Sequence, residues 1–247
     1  MQKTVLERLI TKYFLGGAAE AVLWKSDGNS VEVSCISDDK NVLARVRTTD
    51  LKIQTGDYGI FDTTQLASLL GVLQDDVSFT LKTHKDVPIA FTLSDETTKV
   101  DFVLSDSAVI PPAPGLKKLP PYDLELTIDK KFIDTFIRAK SALQDVETFT
   151  ILCNKKNKPQ IIIGYSDMNT NRVTIDMSTP TDTREPTFPL IPINFSARFM
   201  REILMANREA KVGKIQVSSK GLAHITFELD SEFAVDYYLV QIQTASI

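Results

Sequence analysis

A proline-rich stretch near the middle of the chain constrains the fold more than any other feature. Five of the 11 prolines fall in PPAPGLKKLPP, residues 111–121, and this density excludes a helix or a central strand. The stretch is expected to form an extended, semi-rigid connector. Because it lies near the midpoint of the 247 residues, it predicts two domains, 1–110 and 124–247, joined by a connector over 111–123.

The two halves carry the same order of elements. Each opens with an amphipathic helix, TVLERLITKYF in the first half and IDKKFIDTFIRAKSAL in the second, and each has a second helix, at 62–73 or 196–207. Asp129 is expected to cap the helix that opens the second half. Alternating strand sequence follows, and the halves close on VDFVL at 100–104 and VDYYL at 235–239. Helix, strands, helix, strands, written twice, predicts an α+β fold.

Charge is distributed unevenly. The net charge is −4, from 28 Lys and Arg against 32 Asp and Glu, which excludes a uniformly basic surface for nucleic acid. Helical projection predicts a local basic surface instead, because three helices carry cations opposite their apolar stripe. These cations are Arg8, Lys12, Lys131, Arg138, Arg198, Arg201 and Arg208. One such helix is ordinary, but three in an acidic chain favour a surface that faces a polyanion. No aromatic residue interleaves them, which indicates backbone contact rather than base stacking.

Signals for catalysis are weak. His84 and His224 have no carboxylate or nucleophile at a catalytic spacing, and no GxGxxG or P-loop string occurs. We therefore expect no enzymatic activity, no cofactor and no metal. Cys35 and Cys153 lack CxxC spacing and are expected to be buried, reduced thiols. The N-terminal segment lacks the apolar core of a signal peptide, so a cytoplasmic protein is expected.

These features together resemble those of DNA sliding clamps, and most closely the T-even-type bacteriophage clamp. The resemblance spans nearly the whole chain and rests on the repeat, the midchain connector, the segment IFDTTQLASLLGVLQDD at 60–76 and the closing VDYYL. It implies a DNA-clamp fold with two similar domains, each with two helices packed on β-sheets. It further implies assembly of three copies, head to tail, into a ring with the cationic helix faces toward the hole.

The resemblance also implies a function. A clamp holds duplex DNA by topology, with few, exchangeable and sequence-independent phosphate contacts, and tethers the replicative DNA polymerase. An ATP-dependent clamp loader would be a separate partner, and a phage-encoded clamp would work in the cytoplasm of the bacterial host. The alternative is a non-catalytic structural ring or assembly protein, whose helices would need no basic face. An enzyme or inhibitor built on the clamp fold is a second alternative, for which no catalytic constellation is visible.

A subunit interface is the first site that the resemblance implies. The segments KVDFVLS at 99–105 and NRVTIDM at 171–177 alternate apolar and polar residues and are expected to be edge strands that pair between copies. The predicted interface residues are Val100, Phe102 and Leu104 on one copy and Val173, Ile175 and Met177 on the next.

A partner pocket is the second implied site. Client proteins are expected to insert a short peptide into an apolar pocket between the halves, under the connector. The predicted lining residues are Val42, Leu116, Leu119, Leu222 and Tyr238. The alternative is that Leu116 and Leu119 only pin the connector onto its own sheet.

Overall fold

The computed structural model describes residues 2–116, 118–153, 158–166, 170–179 and 192–243. The chain divides into two compact units, each of which includes a segment that is distant in sequence from the rest of the unit. Unit 1 comprises Met1–Asp38, Ala44–Pro114 and Asp230–Val235. Unit 2 comprises Asp39–Leu43, Gly115–Leu229 and Asp236–Ile247. Lys117, within the predicted connector, lies outside the described residues.

Unit 1 combines two helices with two antiparallel sheets. The helices are α1 (Lys3–Phe14) and α2 (Thr63–Leu70), which contact each other. The strands are β1 (Val22–Ser26), β2 (Val31–Ile36), β3 (Val42–Thr48), β4 (Gly56–Ile60), β5 (Ser78–His84), β6 (Val87–Ser94) and β7 (Lys99–Val103). Neighbouring strands follow the order β4-β1-β2-β3 in one sheet and β5-β6-β7 in the other.

Unit 2 repeats this plan. Its helices are α3 (Lys130–Ala142) and α4 (Ala197–Ala206), which also contact each other. The strands are β8 (Leu124–Asp129), β9 (Thr148–Cys153), β10 (Pro159–Ile163), β11 (Val173–Asp176), β12 (Ile193–Ser196), β13 (Val212–Ser218), β14 (Leu222–Phe227) and β15 (Phe233–Val240). They follow the orders β11-β10-β9-β12 and β15-β14-β13-β8.

Local sequence explains where the helices of unit 2 begin and which side they bury. The Asp129 carboxylate accepts a hydrogen bond from the Phe132 amide at 2.7 Å, so the predicted cap of α3 is confirmed. Ser196 caps α4 in the same way. Phe132 and Phe136, one turn apart, are buried, and Phe136 packs edge-on against Phe149 of β9. The apolar stripe therefore faces the sheet, and the opposite side of the helix faces solvent.

The cysteines lie in the cores. Cys35 and Cys153 are both buried free thiols, and burial raises the pKa of Cys35 to about 12. A thiol with such a pKa is almost wholly protonated near neutral pH and is a poor nucleophile. Within the described ranges, no helix has the length and hydropathy needed to cross a membrane.

Candidate nucleic-acid interface and docking sites

The exposed side of the α3 and α4 pair carries most of the predicted cations. Along α3, positions three and four residues apart fall on one side, and the same spacing relates the exposed positions of α4. This side, called the α3–α4 face below, comprises Lys131, Asp134, Arg138, Arg198, Arg201, Glu202, Met205 and Arg208. Five cations against these two carboxylates, or against three when the adjacent exposed Glu209 is counted, leave the face positive, and the chain as a whole is acidic.

Two ion pairs lie within this face, and Arg138 Nε also donates to the Asp134 main-chain carbonyl at 3.2 Å. The Arg208 guanidinium lies 2.9 Å from the Asp134 carboxylate, which joins a residue two positions after the end of α4 to α3. Arg201 pairs with its neighbour Glu202 at 2.5 Å and is only half exposed. Lys131, Arg138 and Arg198 are exposed to solvent. The cations that this face presents to phosphate therefore differ in their exposure and in their contacts within the face.

The helices of unit 1 differ, and here the prediction for Lys12 is wrong. Its side chain was expected on an exposed cationic side of α1 but is fully buried, with Nζ 5.8 Å from the centre of the Phe233 ring. Arg8 is partly buried, lies over the same ring at 4.3 Å and pairs with Asp230 at 2.5 Å. The segment Asp230–Val235 belongs to unit 1 and covers this side of α1.

The exposed side of α2 carries no charge. Thr64, Gln65 and Ser68 are exposed there, as the sequence indicates, and the α2 cap is Asp62, which accepts from the Gln65 amide. With Lys12 buried and Arg8 paired, the predicted cations that stay exposed are concentrated on unit 2. Among the helix surfaces, the α3–α4 face is therefore the one with several exposed cations that could contact backbone phosphates.

Charge reversal at Lys12 and at Lys131 is expected to affect stability differently, because the first side chain is buried and the second is exposed. Lys12→Glu is expected to lower the free energy of unfolding by about 3–5 kcal/mol, because it leaves a buried charge uncompensated. Lys131→Glu, the matched change on the exposed α3 surface, should shift it by about 0.5 kcal/mol or less. Urea unfolding followed by circular dichroism measures both. Equal stability of the two variants would contradict the burial of Lys12.

The two strands predicted to pair between copies are both edge strands, one in each unit, and β5 and β12 form the other edges of the same two sheets. Among the described residues, β7 pairs only with β6, and β11 pairs only with β10. The Leu104 amide donates to Ile89, and the Met177 amide donates to Pro159. Because amides alternate in direction along a strand, those of Asp101 and Val103 and those of Thr174 and Asp176 point to the open sides. Such edges are templates for pairing with another chain.

The side chains at these edges have different surroundings. Val100 and Phe102 are buried in the core of unit 1, so Phe102→Asp would unfold the unit and would not simply separate copies. Leu104 is half-buried, and Val103 is 75% exposed. On β11, Val173, Ile175 and Met177 are half-buried, and the last two line a cleft of about 450 Å³ together with Phe132. The predicted interface side chains are thus more accessible at the β11 edge than at the β7 edge, where the exposed apolar side chain is Val103 instead.

The five predicted pocket residues all belong to unit 2, including Val42, because the first two residues of β3 fall in unit 2 and the rest of that strand in unit 1. Val42 and Tyr238 are buried, whereas Leu116, Leu119 and Leu222 are half-buried. Tyr237 accepts a hydrogen bond from Asn207, which follows α4. Because side chains alternate across a strand, Tyr238 faces the side of the sheet opposite to the helices. Leu222 lies on the same side, since it opposes Val240.

Four further residues surround this side of the sheet, and sequence reasoning assigned none of them to the site. The His224 ring stacks on Tyr238, with ring centres 4.4 Å apart, and on Tyr122 at the end of the connector, with ring centres 5.9 Å apart. His224 Nε2 also contacts the Asp236 carboxylate at 2.6 Å. Val240 is apolar and 44% exposed. The alternation that places Tyr238 outward also places Val240 outward, so the strand period could have identified it.

No group of metal-ligating side chains occurs in the part of the chain that the structure describes. His84, at the end of β5, is exposed, and His224 takes part in the stacking described above. The described residues provide a cationic helix face, open strand edges and an outward apolar surface of Leu222, Tyr238 and Val240, called the apolar strip below, all of which are binding features.

Solved structures of sliding clamps share this architecture. Proliferating cellular nuclear antigen (PCNA) from Entamoeba histolytica matches with a TM-score of 0.71 and 17% identity, over 98% of this chain and 96% of that one. A structure of A. fulgidus PCNA with the C-terminal region of FEN-1 bound matches with a TM-score of 0.75 and 12% identity, over 100% and 98%. No protein-family model and no curated protein matches the sequence. The predicted α+β clamp fold is confirmed, and this chain has the fold of PCNA-type sliding clamps.

Proposed function

We propose that this protein is a DNA sliding clamp, a non-enzymatic ring that encircles duplex DNA and tethers enzymes that act on it. The observation that carries the proposal is the positive α3–α4 face on an acidic chain with the clamp fold. Contacts from lysine and arginine to phosphate do not depend on base sequence, so they suit a protein that moves along DNA. In this proposal, the cations Lys131, Arg138 and Arg198 face the duplex.

The ring is proposed to contain three copies. The open edge of β7 on one copy would pair with the open edge of β11 on the next, which is a heterologous contact that repeats until the ring closes. Each copy supplies both edges, so no other protein is needed to close the ring. Native mass spectrometry at micromolar concentration is expected to give three times the mass of one chain. A monomer as the sole species would contradict the ring.

A DNA polymerase is the proposed client, and an ATP-dependent loader is the proposed agent that opens the ring. A separate loader is consistent with the lack of a P-loop string in this sequence. The T-even phage type and a location in the bacterial host cytoplasm are further proposals, supported by the sequence resemblance. Retention of a purified phage polymerase on DNA that carries this clamp would support the polymerase assignment. A clamp that is retained on DNA but leaves polymerase processivity unchanged would contradict it.

The client is proposed to insert a peptide at the apolar strip of Leu222, Tyr238 and Val240, with Leu116 of the connector proposed as a further contact. A. fulgidus PCNA, which has the same fold, has been solved with the C-terminal region of FEN-1 bound. A large apolar anchor buried against such a strip contributes about 1.5–3 kcal/mol. Peptide binding at this strip would explain why half-buried leucines lie in a connector that is otherwise rich in Lys and Pro.

The double variant Leu116→Ser, Tyr238→Ala tests this peptide site. It is expected to stay oligomeric and to keep its affinity for duplex DNA, while losing about tenfold to a hundredfold in affinity for the client, since two apolar contacts are removed. Surface plasmon resonance with immobilised polymerase measures that loss. Val109→Ser, an exposed apolar position in unit 1, is the control. Unchanged polymerase binding by the double variant would exclude this strip.

A further inference from the structure

A carboxylate lies in the middle of the α3–α4 face. Asp134 is three residues after Lys131 and four before Arg138, so it shares their side of α3. Its Oδ1 atom lies 2.9 Å from Nη2 of Arg208. On a surface that meets phosphate, a carboxylate repels the ligand and also occupies a guanidinium that could bind it. Its presence there calls for a physical reason.

The ion pair between Asp134 and Arg208 adds too little to folding stability to be that reason. The side chains of Arg208 and Asp134 are 66% and 34% exposed, and ion pairs this exposed contribute about 0–1 kcal/mol to folding. Asp134 is also not the cap of its helix, because Asp129 has that role. Its spacing to Lys131 and Arg138 adds only about 0.2–0.5 kcal/mol of helix stability per pair, so the helix would also form with a neutral residue at this position.

The geometry instead allows Asp134 to compete with phosphate for the Arg208 guanidinium. A carboxylate and a phosphate both bind the same N–H groups of a guanidinium, so Arg208 can give its best donors to only one of them at a time. While Asp134 holds Arg208, the face offers DNA one cation fewer and one nearby negative charge more. Arg201 and Glu202 repeat the arrangement on α4.

We propose that Asp134 weakens the hold of the α3–α4 face on duplex DNA by competing with phosphate for Arg208. This inference rests on the proposed clamp function and makes Asp134 a positioning residue, which acts through Arg208. A ring that is retained by topology does not need tight contacts, and each strong phosphate contact would have to break at every step along the duplex. Paired arginines keep the face positive enough to centre the DNA and weak enough to move along it.

The test is the salt dependence of binding to a short linear duplex, measured by fluorescence anisotropy with the full chain. Asp134→Asn is expected to bind about threefold to tenfold more tightly at low salt and to steepen the slope of log affinity against log salt by about 0.9 per added phosphate contact. Asp145→Asn is the matched control, because Asp145 is exposed near the end of α3 and its removal changes the net charge equally.

Variants of Arg208 test whether Asp134 acts through this arginine. In an Arg208→Gln background, the effect of Asp134→Asn should fall to that of Asp145→Asn, since the competed cation is gone. An undiminished effect in that background would mean that Asp134 acts by general repulsion, and this outcome overturns the proposal. Arg208→Gln alone is also expected to reduce affinity less than Arg138→Gln. Equal losses would show that Asp134 does not restrain Arg208, whether or not Asp134→Asn folds.

Failure of this inference is distinct from failure of the clamp proposal. If the wild-type chain assembles and is retained on DNA, but Asp134→Asn has the affinity and slope of Asp145→Asn, only the role of Asp134 is wrong. If the wild-type chain does not bind duplex DNA at all, the clamp proposal fails and the inference fails with it.

Discussion

Thr174→Pro is expected to convert the proposed trimer into a folded monomer. The amide of Thr174 points to the open side of β11, so proline there removes one donor from the contact between copies and leaves the pairing with β10 intact. The lost hydrogen bond leaves an acceptor on the partner unsatisfied, which costs about 1–3 kcal/mol per interface, and the proline ring also obstructs the close approach of the strand. Sedimentation velocity at micromolar concentration reports the mass.

Thr174→Val is the control for this result, because valine keeps both the amide and the β-branched shape at the same exposed position. It is expected to stay trimeric. If Thr174→Pro is folded by circular dichroism and has the mass of the wild-type oligomer, the β11 edge is not the subunit contact.

The double reversal Lys131→Glu, Arg138→Glu is expected to have the largest effect on DNA binding. Both side chains are exposed on one side of α3, and reversal replaces two attractions with two repulsions. We expect affinity for a linear duplex at low salt to fall by more than about a hundredfold and the salt slope to decrease by about 0.9 per lost contact in each copy. Because neither residue is buried, the trimer and its unfolding midpoint should be unchanged.

The control for this reversal is Lys158→Glu, Lys220→Glu. Both lysines are exposed and lie outside the helices, and the net charge changes by the same amount. This variant is expected to lose less than about threefold in affinity, as a distant change in net charge is screened beyond about 10 Å at ordinary ionic strength. Similar losses in the two double variants would place DNA binding elsewhere.

The helices of unit 2 were predictable because the information is local. The Asp129 cap and the stripe of Phe132 and Phe136 lie within a few residues of one another, so helical spacing alone gives the buried and exposed sides. The same spacing indicates that Asp134 shares the side of Lys131 and Arg138. Its pairing with Arg208 was not predictable, because it depends on how α3 and α4 pack.

Lys12 shows that the sequence of one helix does not always predict which of its side chains are exposed. The position is polar and lies opposite the α1 core stripe, so the sequence of α1 predicts exposure. The residues that cover it, Asp230–Val235, are more than 200 positions away and join unit 1 only in the folded chain. Likewise, the alternation at 99–105 predicts an edge strand but cannot show that Val100 and Phe102 already pack in the core.

The central claim is that the protein holds DNA by encircling it, and the most direct test is retention on a duplex with blocked ends. A linear duplex tethered to a bead at one end is incubated with the protein, the free end is capped with a bulky protein, and the beads are washed in about 1 M salt, where electrostatic contacts are screened within about 3 Å. A sliding clamp is expected to stay on the capped duplex and to leave when a nuclease removes the cap. Release in high salt from capped and uncapped duplexes alike would contradict the account.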